Sequence, residues 1–540
     1  MPNDSRDVIR ALAQLNAGEA LSVSTCGRLR EASPPSYQCG SLAVKLASRP
    51  LAPDERSLLT WILDQNPEIH ELIAIAWPHI YPSSALNVDL PALATECIRR
   101  IIKRVRLHDP IGPSLFARCI SEFMSGQVSK TALSVLLALI RLEGLSIDDT
   151  IALTEAMVAS GDIVDYRPLA NKMSRRILRR YPTGGVSEKV SLILPSLLLA
   201  MSNELPILST VLVGRSLGFT GGTWDKLLSI PGFRFPSPGA ETEDVLMACN
   251  VAMCTTNNQI APADRGMYIL RSQTGNVESD PLIISSIASK HLAIPPHRIL
   301  LDVRFGDSAF LEDAERAQLV ASHLRDIFES HSISCTSLLI PTSQPTGVSI
   351  GNALEVLESL YIMGAEIRYP PVNPAAVERQ KELVVEQAVD LVSTEFRELD
   401  RGVVHRAVNQ MLSDGTALKS FWKLLSAHSV AEATIVQLQN DPSQVLMSGL
   451  SATEVSSPKS GQLAHIDLRE IGNIVNFGLA SLELGMQAGA NRGGVWLNVQ
   501  EGGSLKMGEQ LCLAVFDDLI VSGSDRKLLC NQLTQCFHIR

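Results

Sequence analysis

The chain has few aromatic residues, 5% of its 540 positions, and charged residues account for only 19%. Hydrophobic residues account for 45%, which is typical of a folded globular chain and excludes an intrinsically disordered one. It lacks an uninterrupted apolar run of the roughly 18 residues that a membrane helix needs. The nearest segment, residues 192–213, is broken by Pro195, Asn203, Glu204 and Pro206. We therefore expect buried core elements there, and no association with a membrane.

Signals for secretion and for metal binding are lacking too. The N-terminal segment "MPNDSRDVIRALAQLNAGEA" has no basic stretch followed by an apolar one. The ten cysteines form no CxxC motif and no Cys/His spacing typical of zinc sites. We expect buried, reduced thiols, a cytoplasmic location and no metal.

The charge balance limits the partners. A formal net charge of −10 and a pI near 5.6 argue against a protein that coats nucleic acid, although they are compatible with a local basic pocket. At 540 residues, the chain is long enough for two to four domains.

Four regions differ in their patterning. Residues 1–105 form an N-terminal extension with helical periodicity, and residues 106–174 continue with strongly amphipathic helices. Residues 175–445 alternate short apolar runs, such as "HRILLDVRFG" and "CTSLLIPTS", with helices, which predicts an α/β domain with parallel strands. Residues 446–540 are glycine-punctuated and predict a small α+β domain.

Two glycine-rich loops are the clearest chemical signals. Residues 180–191 read "RYPTGGVSEKVS", and residues 214–223 read "GRSLGFTGGT" just before a predicted helix. Each offers hydroxyl groups and free N–H groups at the positive end of a helix, which suits an anion. Each could equally be a tight turn entering a buried helix. The repetition of Thr-Gly-Gly favours two loops that hold one phosphate.

These loops resemble those of the thymidine and pyrimidine-nucleoside phosphorylase family. The resemblance continues through "EGLSIDDTIALTEAMVASG", "APADRGMYILRSQTGNVESDPLIISSIASK", "LLDVRFGDSAF" and "GVSIGNALEV", and spans roughly residues 113–535. It implies a homodimeric enzyme that cleaves a nucleoside with phosphate to free base and sugar 1-phosphate, without a further cofactor. It also implies that a helical domain, joined by about 262–294, holds the base and that the α/β domain holds phosphate across a cleft.

The predicted base site combines a hydroxyl with two cations. Asp280-Pro281 has the pattern of an N-cap followed by proline at the first helical position, and Ser286 and Lys290 are four residues apart on the helix that follows. The family's base-binding arginine, serine and lysine correspond to Arg271, Ser286 and Lys290. Taken alone, a serine and a lysine at this spacing are more often a solvated helix face.

The first phosphate loop departs from the family. Where the family reads Asp-Lys-His-Ser before Thr-Gly-Gly, Arg180 stands at the lysine, Tyr181 at the histidine and Pro182 at a phosphate-binding serine. Arginine keeps the charge in a wider, forked geometry, whereas proline offers neither hydroxyl nor N–H. The expected phosphate ligands here are Arg180 and the loop Thr183, Gly184 and Gly185.

Further phosphate ligands are retained in part. Ser191 and Thr223 match two of them, whereas Val213 replaces a serine. Ser209 lies four residues upstream of Val213 and is a candidate substitute. Losing one preorganised donor can cost on the order of a hundredfold in rate, so the rebuilt loop bears directly on activity.

Asp264 is a candidate for protonating the departing base, with a helix cap or an ion pair as the alternative. Three hypotheses follow: a pyrimidine-nucleoside phosphorylase with a remodelled loop, a phosphorylase of nucleoside 5′-monophosphates, and a descendant that binds a base or nucleoside without catalysis. The first is favoured, because "GRSLGFTGGTWDKL" resembles the nucleoside branch of the family. The extra N-terminal segment and "GGVSEK" point to the second, although this segment is predicted to be helical rather than rich in strands, and the altered loop motivates the third. The sequence leaves open the sugar, the base and the purpose of residues 1–105.

Overall fold

A computed structural model describes residues 4–78, 93–478, 492–518, 521 and 523–540. The chain divides into a helical unit, Met1–Val164 with Thr256–Ile294, and an α/β unit, Asp165–Thr255 with Pro295–Arg540. None of the described helices combines the length and the apolar composition that crossing a bilayer requires.

The described part of the helical unit is built from α-helices. They are α1 (Asp4–Asn16), α2 (Val23–Ala32), α3 (Ser36–Ala47), α4 (Pro53–Gln65), α5 (Pro67–Ala76), α6 (Glu96–Leu107), α7 (Pro113–Met124), α8 (Lys130–Glu143), α9 (Ile147–Val158), α14 (Pro262–Gln273) and α15 (Asp280–Ala293). Helix α9 begins after an N-cap serine, because the hydroxyl of Ser146 accepts a hydrogen bond from the N–H of Asp149 at 3.1 Å.

The N-terminal helices share one hydrophobic core with the rest of this unit. Leu42 of α3 and Ile62 of α4 are fully buried in the same cluster as Leu137 of α8 and Met267 of α14. Helices α3 and α8 approach closely at Gly40, where a Cβ atom would lie 2.5 Å from the hydroxyl of Ser134. The described residues of this N-terminal stretch, 4–78 and 93–105, are therefore part of the folded helical unit.

The α/β unit is centred on a five-stranded parallel sheet in the order β3-β2-β1-β4-β5. Its strands are β1 (Arg176–Pro182), β2 (Ile207–Leu212), β3 (Val251–Cys254), β4 (Arg298–Phe305) and β5 (Ser334–Pro341). The segments "HRILLDVRFG" and "CTSLLIPTS" form β4 and β5, as their apolar runs predict.

Helices surround this sheet. They are α10 (Arg167–Lys172), α11 (Val190–Met201), α12 (Thr223–Leu228), α13 (Ala240–Cys249), α16 (Ala314–Ser330), α17 (Asn352–Ile362), α18 (Pro374–Glu395), α19 (Arg401–Ser413), α20 (Thr416–Ala427), α21 (Glu432–Asn440) and α22 (Pro442–Leu446). Every residue of α11 is buried, which explains the long apolar run in the sequence. Pro195 lies inside this helix without ending it.

The C-terminal part adds antiparallel strands. They are β6 (Ser349–Gly351), β7 (Leu450–Ser456), β8 (Gly461–Ile466), β9 (Gly494–Leu497), β10 (Ser504–Leu505), β11 (Gln510–Asp517) and β12 (Phe537–Ile539), with helices α23 (Leu468–Asn473) and α24 (Gly523–Gln535) and a π turn at Ile474–Gly478. Strands β6, β9, β11 and β7 form one sheet, and β10, β8 and β12 form another. The predicted fold class, a helical domain with a parallel α/β domain and a small α+β region, is confirmed.

All ten cysteines lie among the described residues and are free thiols. Nine are buried, and Cys530 is partly exposed. This agrees with the expectation that they are structural.

Candidate active site

The first Thr-Gly-Gly loop follows β1 at the point where the strand order reverses. From β1 the sheet continues through β2 and β3 on one side and through β4 and β5 on the other. Pro182, at the carboxyl end of β1, pairs with Asp302 of β4. Ligands of parallel α/β sheets bind in the crevice outside such a reversal. The topology therefore places this loop where an anion site is expected.

Neighbouring backbone holds the loop in one conformation. Thr183 donates its N–H to the carbonyl of Asp302 at 2.9 Å, and its hydroxyl accepts the N–H of Arg304 at 2.9 Å. Gly184 has a φ of +106°, and a Cβ atom there would lie 2.8 Å from the ring of Phe310. A residue with a side chain would be strained and would clash, so glycine is required at this position.

The guanidinium of Arg180 is surrounded by partners from its own chain. It donates to the amide oxygen of Gln387 at 2.7 Å and to the hydroxyl of Ser191 at 2.6 Å. It also pairs with Glu188 at 3.0 Å and with Asp302. Arg180 thus stands beside the loop, as predicted, with its charge balanced by two buried carboxylates.

Arg180 belongs to a buried charge network, defined by Arg180, Glu188, Lys189, Lys226, Asp302, Arg304, Glu355 and Glu358. Its four basic and four acidic groups cancel in formal charge. Although burial acts in the opposite direction, Arg180, Arg304 and Lys226 hold the pKa of Glu188 well below its usual range. The loops are therefore supported by a neutral set of ion pairs.

The second glycine-rich loop is tied to the first by a lysine. Thr223 begins α12, and three residues later Lys226 donates to the carbonyl of Glu188 at 2.6 Å and pairs with Glu355 at 2.7 Å. The same helix also holds its own loop, because Asp225 of α12 accepts the N–H of Ser216 at 2.7 Å. Lys226 was not predicted as a site residue, although it lies only three residues after the Thr-Gly-Gly-Thr motif.

The structure does not bring Ser209 to either loop. It lies in the middle of β2, fully buried, and donates its hydroxyl to the carbonyl of Leu178 at 2.7 Å. Thr183 is five residues further along β1 from Leu178, which is about 17 Å at the rise of an extended strand. The prediction that Ser209 replaces a phosphate ligand is corrected, because strand register and not sequence proximity decides its position.

In the helical unit, α14 and α15 bring a second group of side chains together. The ammonium of Lys290 lies 2.8 Å from the carboxylate of Asp264 and 2.8 Å from the hydroxyl of Ser286. It also lies 5.3 Å from the ring centre of Tyr268. We call Asp264, Tyr268, Ser286 and Lys290 the lysine cluster.

Tyr268 was not predicted from the sequence. Its signal is the spacing of Asp264, Tyr268 and Arg271 along α14, which places them on one helix face. The predicted cap is also corrected by one residue, since Ser279 occupies the N-cap position of α15 and Asp280 begins the helix.

Arg271 is buried one helical turn beyond Tyr268. Its guanidinium donates to the carbonyl oxygens of Asn276 at 3.1 Å, Val277 at 2.6 Å and Leu282 at 2.9 Å. Burial lowers its pKa to about 10, so it remains charged at neutral pH. In this arrangement Arg271 fixes the segment that joins α14 to α15.

Comparisons with known proteins place these features in one family. Residues 99–161 match the family model described as "Glycosyl transferase family, helical bundle domain". Thymidine phosphorylase of Mycobacterium tuberculosis is 33% identical over 390 residues, which are 72% of this chain and 81% of that protein. Thymidine phosphorylase of Agrobacterium fabrum is 29% identical over 380 residues, 70% of this chain and 82% of that protein. The chain belongs to the thymidine phosphorylase family.

A solved structure, anthranilate phosphoribosyltransferase from Thermus thermophilus, is 12% identical with a TM-score of 0.46, and the match covers 62% of this chain and all of that one. The matched model of the glycosyl transferase helical bundle domain begins at residue 99, so helices α1–α5 precede it. Among the residues that the structure describes, no group of three or more His, Cys, Asp or Glu side chains is arranged to hold a metal ion.

Proposed function

We propose that this member of the thymidine phosphorylase family is a pentosyltransferase that cleaves the N-glycosidic bond of a pyrimidine nucleoside with inorganic phosphate. The products are the free base and ribose or deoxyribose 1-phosphate, and phosphate is a co-substrate without a further cofactor. The observation that carries the proposal is the lysine cluster, in which Ser286 and Lys290 occupy the family's base-binding positions and already share a hydrogen bond.

The lysine cluster suits the polar edge of a pyrimidine. The ammonium of Lys290 and the hydroxyl of Ser286 are donors for a carbonyl oxygen, and both side chains are mostly buried, so such bonds would be little weakened by water. Arg271, predicted to bind the base directly, uses three donor contacts on backbone carbonyls. We assign it the additional task of fixing the segment before α15.

Asp264 holds Lys290 in place through their 2.8 Å contact. This orients the ammonium and keeps its charge next to the base. For Asp264 to protonate the departing base, as the sequence suggests, the carboxyl group would first have to leave Lys290. We therefore propose orientation of Lys290 as its first role.

On the phosphate side, we propose that Thr183, Gly184, Gly185, Ser191 and Thr223 contact the anion. The oxygen of Ser191 accepts a hydrogen bond from Arg180, so its own proton is available to donate to a phosphate oxygen. Arg180 then acts on phosphate through Ser191. This differs from a direct charge contact, which the pairing of Arg180 with Glu188 and Asp302 opposes.

The test is release of free base from a panel of pyrimidine nucleosides and their 5′-monophosphates, with and without inorganic phosphate. Phosphate-dependent release from nucleosides supports the proposal, and release only from monophosphates would reassign the substrate. Lys290→Met, which keeps an unbranched apolar stem and removes the ammonium, should release far less base than the wild type. Release that is independent of phosphate would contradict phosphorolysis.

A second candidate is a protein that binds a pyrimidine base or nucleoside without cleaving it. The observation that favours it is the neutral charge network, which leaves Arg180 balanced by carboxylates, together with Pro182, which supplies no N–H. Calorimetric binding of thymidine by a protein that releases no base in any phosphate concentration would establish this candidate.

We also propose a homodimer located in the cytoplasm, as the family resemblance and the reduced thiols suggest. Sedimentation equilibrium tests the first point, with twice the mass of one chain as the expected result. Fractionation of cells that express the tagged full-length chain tests the second.

A further inference from the structure

The segment between α14 and α15 connects the N-terminal helices to the lysine cluster. Residues 274–279 form this segment, which we call the α14–α15 loop. Thr274 and Asn276 are fully buried in it, and Gly275 has a φ of +64°. Arg271 fixes one side of the loop through its bonds to Asn276, Val277 and Leu282, the last already in the first turns of α15.

Helix α3 fixes the other side of the loop. The hydroxyl of Ser41 donates to the carbonyl of Thr274 at 2.8 Å and accepts from the side-chain amide of Asn276 at 3.2 Å. The ammonium of Lys45 donates to the side-chain oxygen of Asn276 at 3.0 Å. Gln38, one turn earlier, donates to the carbonyl of Gln273 at 3.0 Å.

Helix α1 completes this contact. Asn16 donates its side-chain amide to the carbonyl of Gly275 at 2.8 Å, and its oxygen accepts from Lys45 at 2.5 Å. Gly275 is close to the same helix, since a Cβ atom there would lie 3.1 Å from Cβ of Leu12. A side chain at this position would displace α1 from the loop.

A lysine at position 45 is energetically unfavourable, because its polar end group is buried. Burial, followed by the charge of Arg141, lowers its pKa well below the ordinary value, against a smaller opposing effect of Glu278. Its hydrogen bonds go to two side-chain amide oxygens, those of Asn16 and Asn276. Because a buried polar group is unfavourable without hydrogen-bond partners, these two bonds fix the Lys45 side chain between α1 and the α14–α15 loop.

We propose that α1 and α3 position the base site through the α14–α15 loop, with Ser41 and Lys45 as positioning residues. The inference rests on the proposed function of the lysine cluster. The loop sets where α15 begins, and Ser286 and Lys290 follow about two and three turns later on that helix. The N-terminal helices, which precede the matched family model, thereby act on affinity for the pyrimidine without contacting it.

The test uses the full-length chain and three variants. Ser41→Ala and Lys45→Met remove donors to the loop. Ser48→Ala is the matched control, because Ser48 follows α3 and donates its hydroxyl to Lys45's carbonyl at 3.0 Å, away from the α14–α15 loop. Affinities for thymidine, uridine, thymine and inorganic phosphate are measured by calorimetry, and amide hydrogen exchange is followed over residues 274–290.

We expect Ser41→Ala and Lys45→Met to weaken pyrimidine binding about three- to tenfold, with phosphate affinity unchanged. Amide exchange across residues 274–290 should be faster in both variants, and Ser48→Ala should match the wild type. Equal losses for pyrimidine and phosphate, or pyrimidine affinities within twofold of the wild type in both variants, would overturn the inference.

Failure of the proposed function gives a different result. If the wild type binds none of the pyrimidines, the proposed function is wrong. Amide hydrogen exchange over residues 274–290 then still decides whether α1 and α3 hold the loop. Unchanged exchange in Ser41→Ala would then overturn the positioning role. Should Lys45→Met fail to fold, Ser41→Ala, which deletes one oxygen atom, still decides the matter.

Discussion

The ammonium of Lys290 and the carboxylate of Asp264 lie 2.8 Å apart and join helices α15 and α14. Their side chains are only 12% and 5% exposed, so neither charge is well solvated. Removing one member of such a pair leaves the other buried and uncompensated. The proposed base site therefore contains two residues that depend on each other, so a variant of one is compared with a variant of both.

Lys290→Ala should weaken binding of a pyrimidine nucleoside at least tenfold, or ~1.5 kcal/mol, because it removes a charged hydrogen-bond donor. Calorimetry with thymidine measures this effect. Lys290→Ala combined with Asp264→Asn removes the uncompensated carboxylate and should recover thermal stability without recovering affinity. Unchanged affinity in Lys290→Ala would eliminate the lysine cluster as the base site.

Ser191→Ala and Thr223→Ala should each raise the KM for phosphate about tenfold, because each removes one hydrogen bond to a charged ligand. The KM for the nucleoside should change little. Steady-state kinetics with both substrates varied provides the measurement. Ser196→Ala is the control, since Ser196 is also buried on α11 and its hydroxyl has no hydrogen-bond partner in the described part of the chain. The same change in all three variants would contradict a phosphate role.

Glu188→Gln should lower the free energy of unfolding by ~3 kcal/mol, because Arg180 loses a buried partner. The folded-state pKa of Glu188 lies below its unfolded value, so its stabilising contribution is complete above about pH 4.3 and declines as the pH falls further. Urea unfolding between pH 3 and pH 7 should show a steeper acid loss in the wild type than in the variant. Glu312→Gln, at a side chain that is 77% exposed, should change stability by less than ~0.5 kcal/mol.

His428 makes the α/β unit sensitive to mild acid. The N–H of Met253 donates to its Nε2 at 3.1 Å, so the neutral ring carries its proton on Nδ1 and donates it to the carbonyl of Arg234 at 3.0 Å. Burial lowers the pKa of His428 to about 4. Below the unfolded-state pKa of about 6.5, the histidine is protonated in the unfolded chain but stays neutral in the folded protein. The free energy of unfolding therefore falls between about pH 6.5 and pH 4.

The measurement for His428 is urea unfolding at pH 7 and pH 5. The wild type should lose ~2 kcal/mol more than His428→Gln between these two pH values, because about 1.5 pH units separate pH 5 from the unfolded pKa. Comparing the same pH difference in both proteins cancels the effect of other groups, including His297, whose pKa is also lowered. Parallel losses in the two proteins would rule out His428 as the source.

Much of the fold follows from local patterns in the sequence. The apolar runs that became β4 and β5, and the Ser146 cap of α9, are each set by a few adjacent residues. The motif spacing also located Ser286 and Lys290 correctly on one helix face. These features need no knowledge of distant contacts.

The surroundings of each site residue could not be predicted, because they depend on residues far away in the chain. Arg180 meets Asp302 and Gln387, and Ser41 meets Thr274, only after folding. Ser209 was misplaced for the same reason: parallel strand register put its hydroxyl on Leu178. Sequence motifs indicate which residue types are present, whereas long-range packing decides whether a donor remains available.

Helix α11 has a practical consequence, since all of its residues are buried. Its amide protons can meet deuterium only when a large part of the α/β unit opens. A single peptide from Val190–Met201 would therefore report the rate of cooperative opening in mass spectrometry. Loss of protection in that peptide would distinguish a variant that unfolds from one whose binding loops alone have changed.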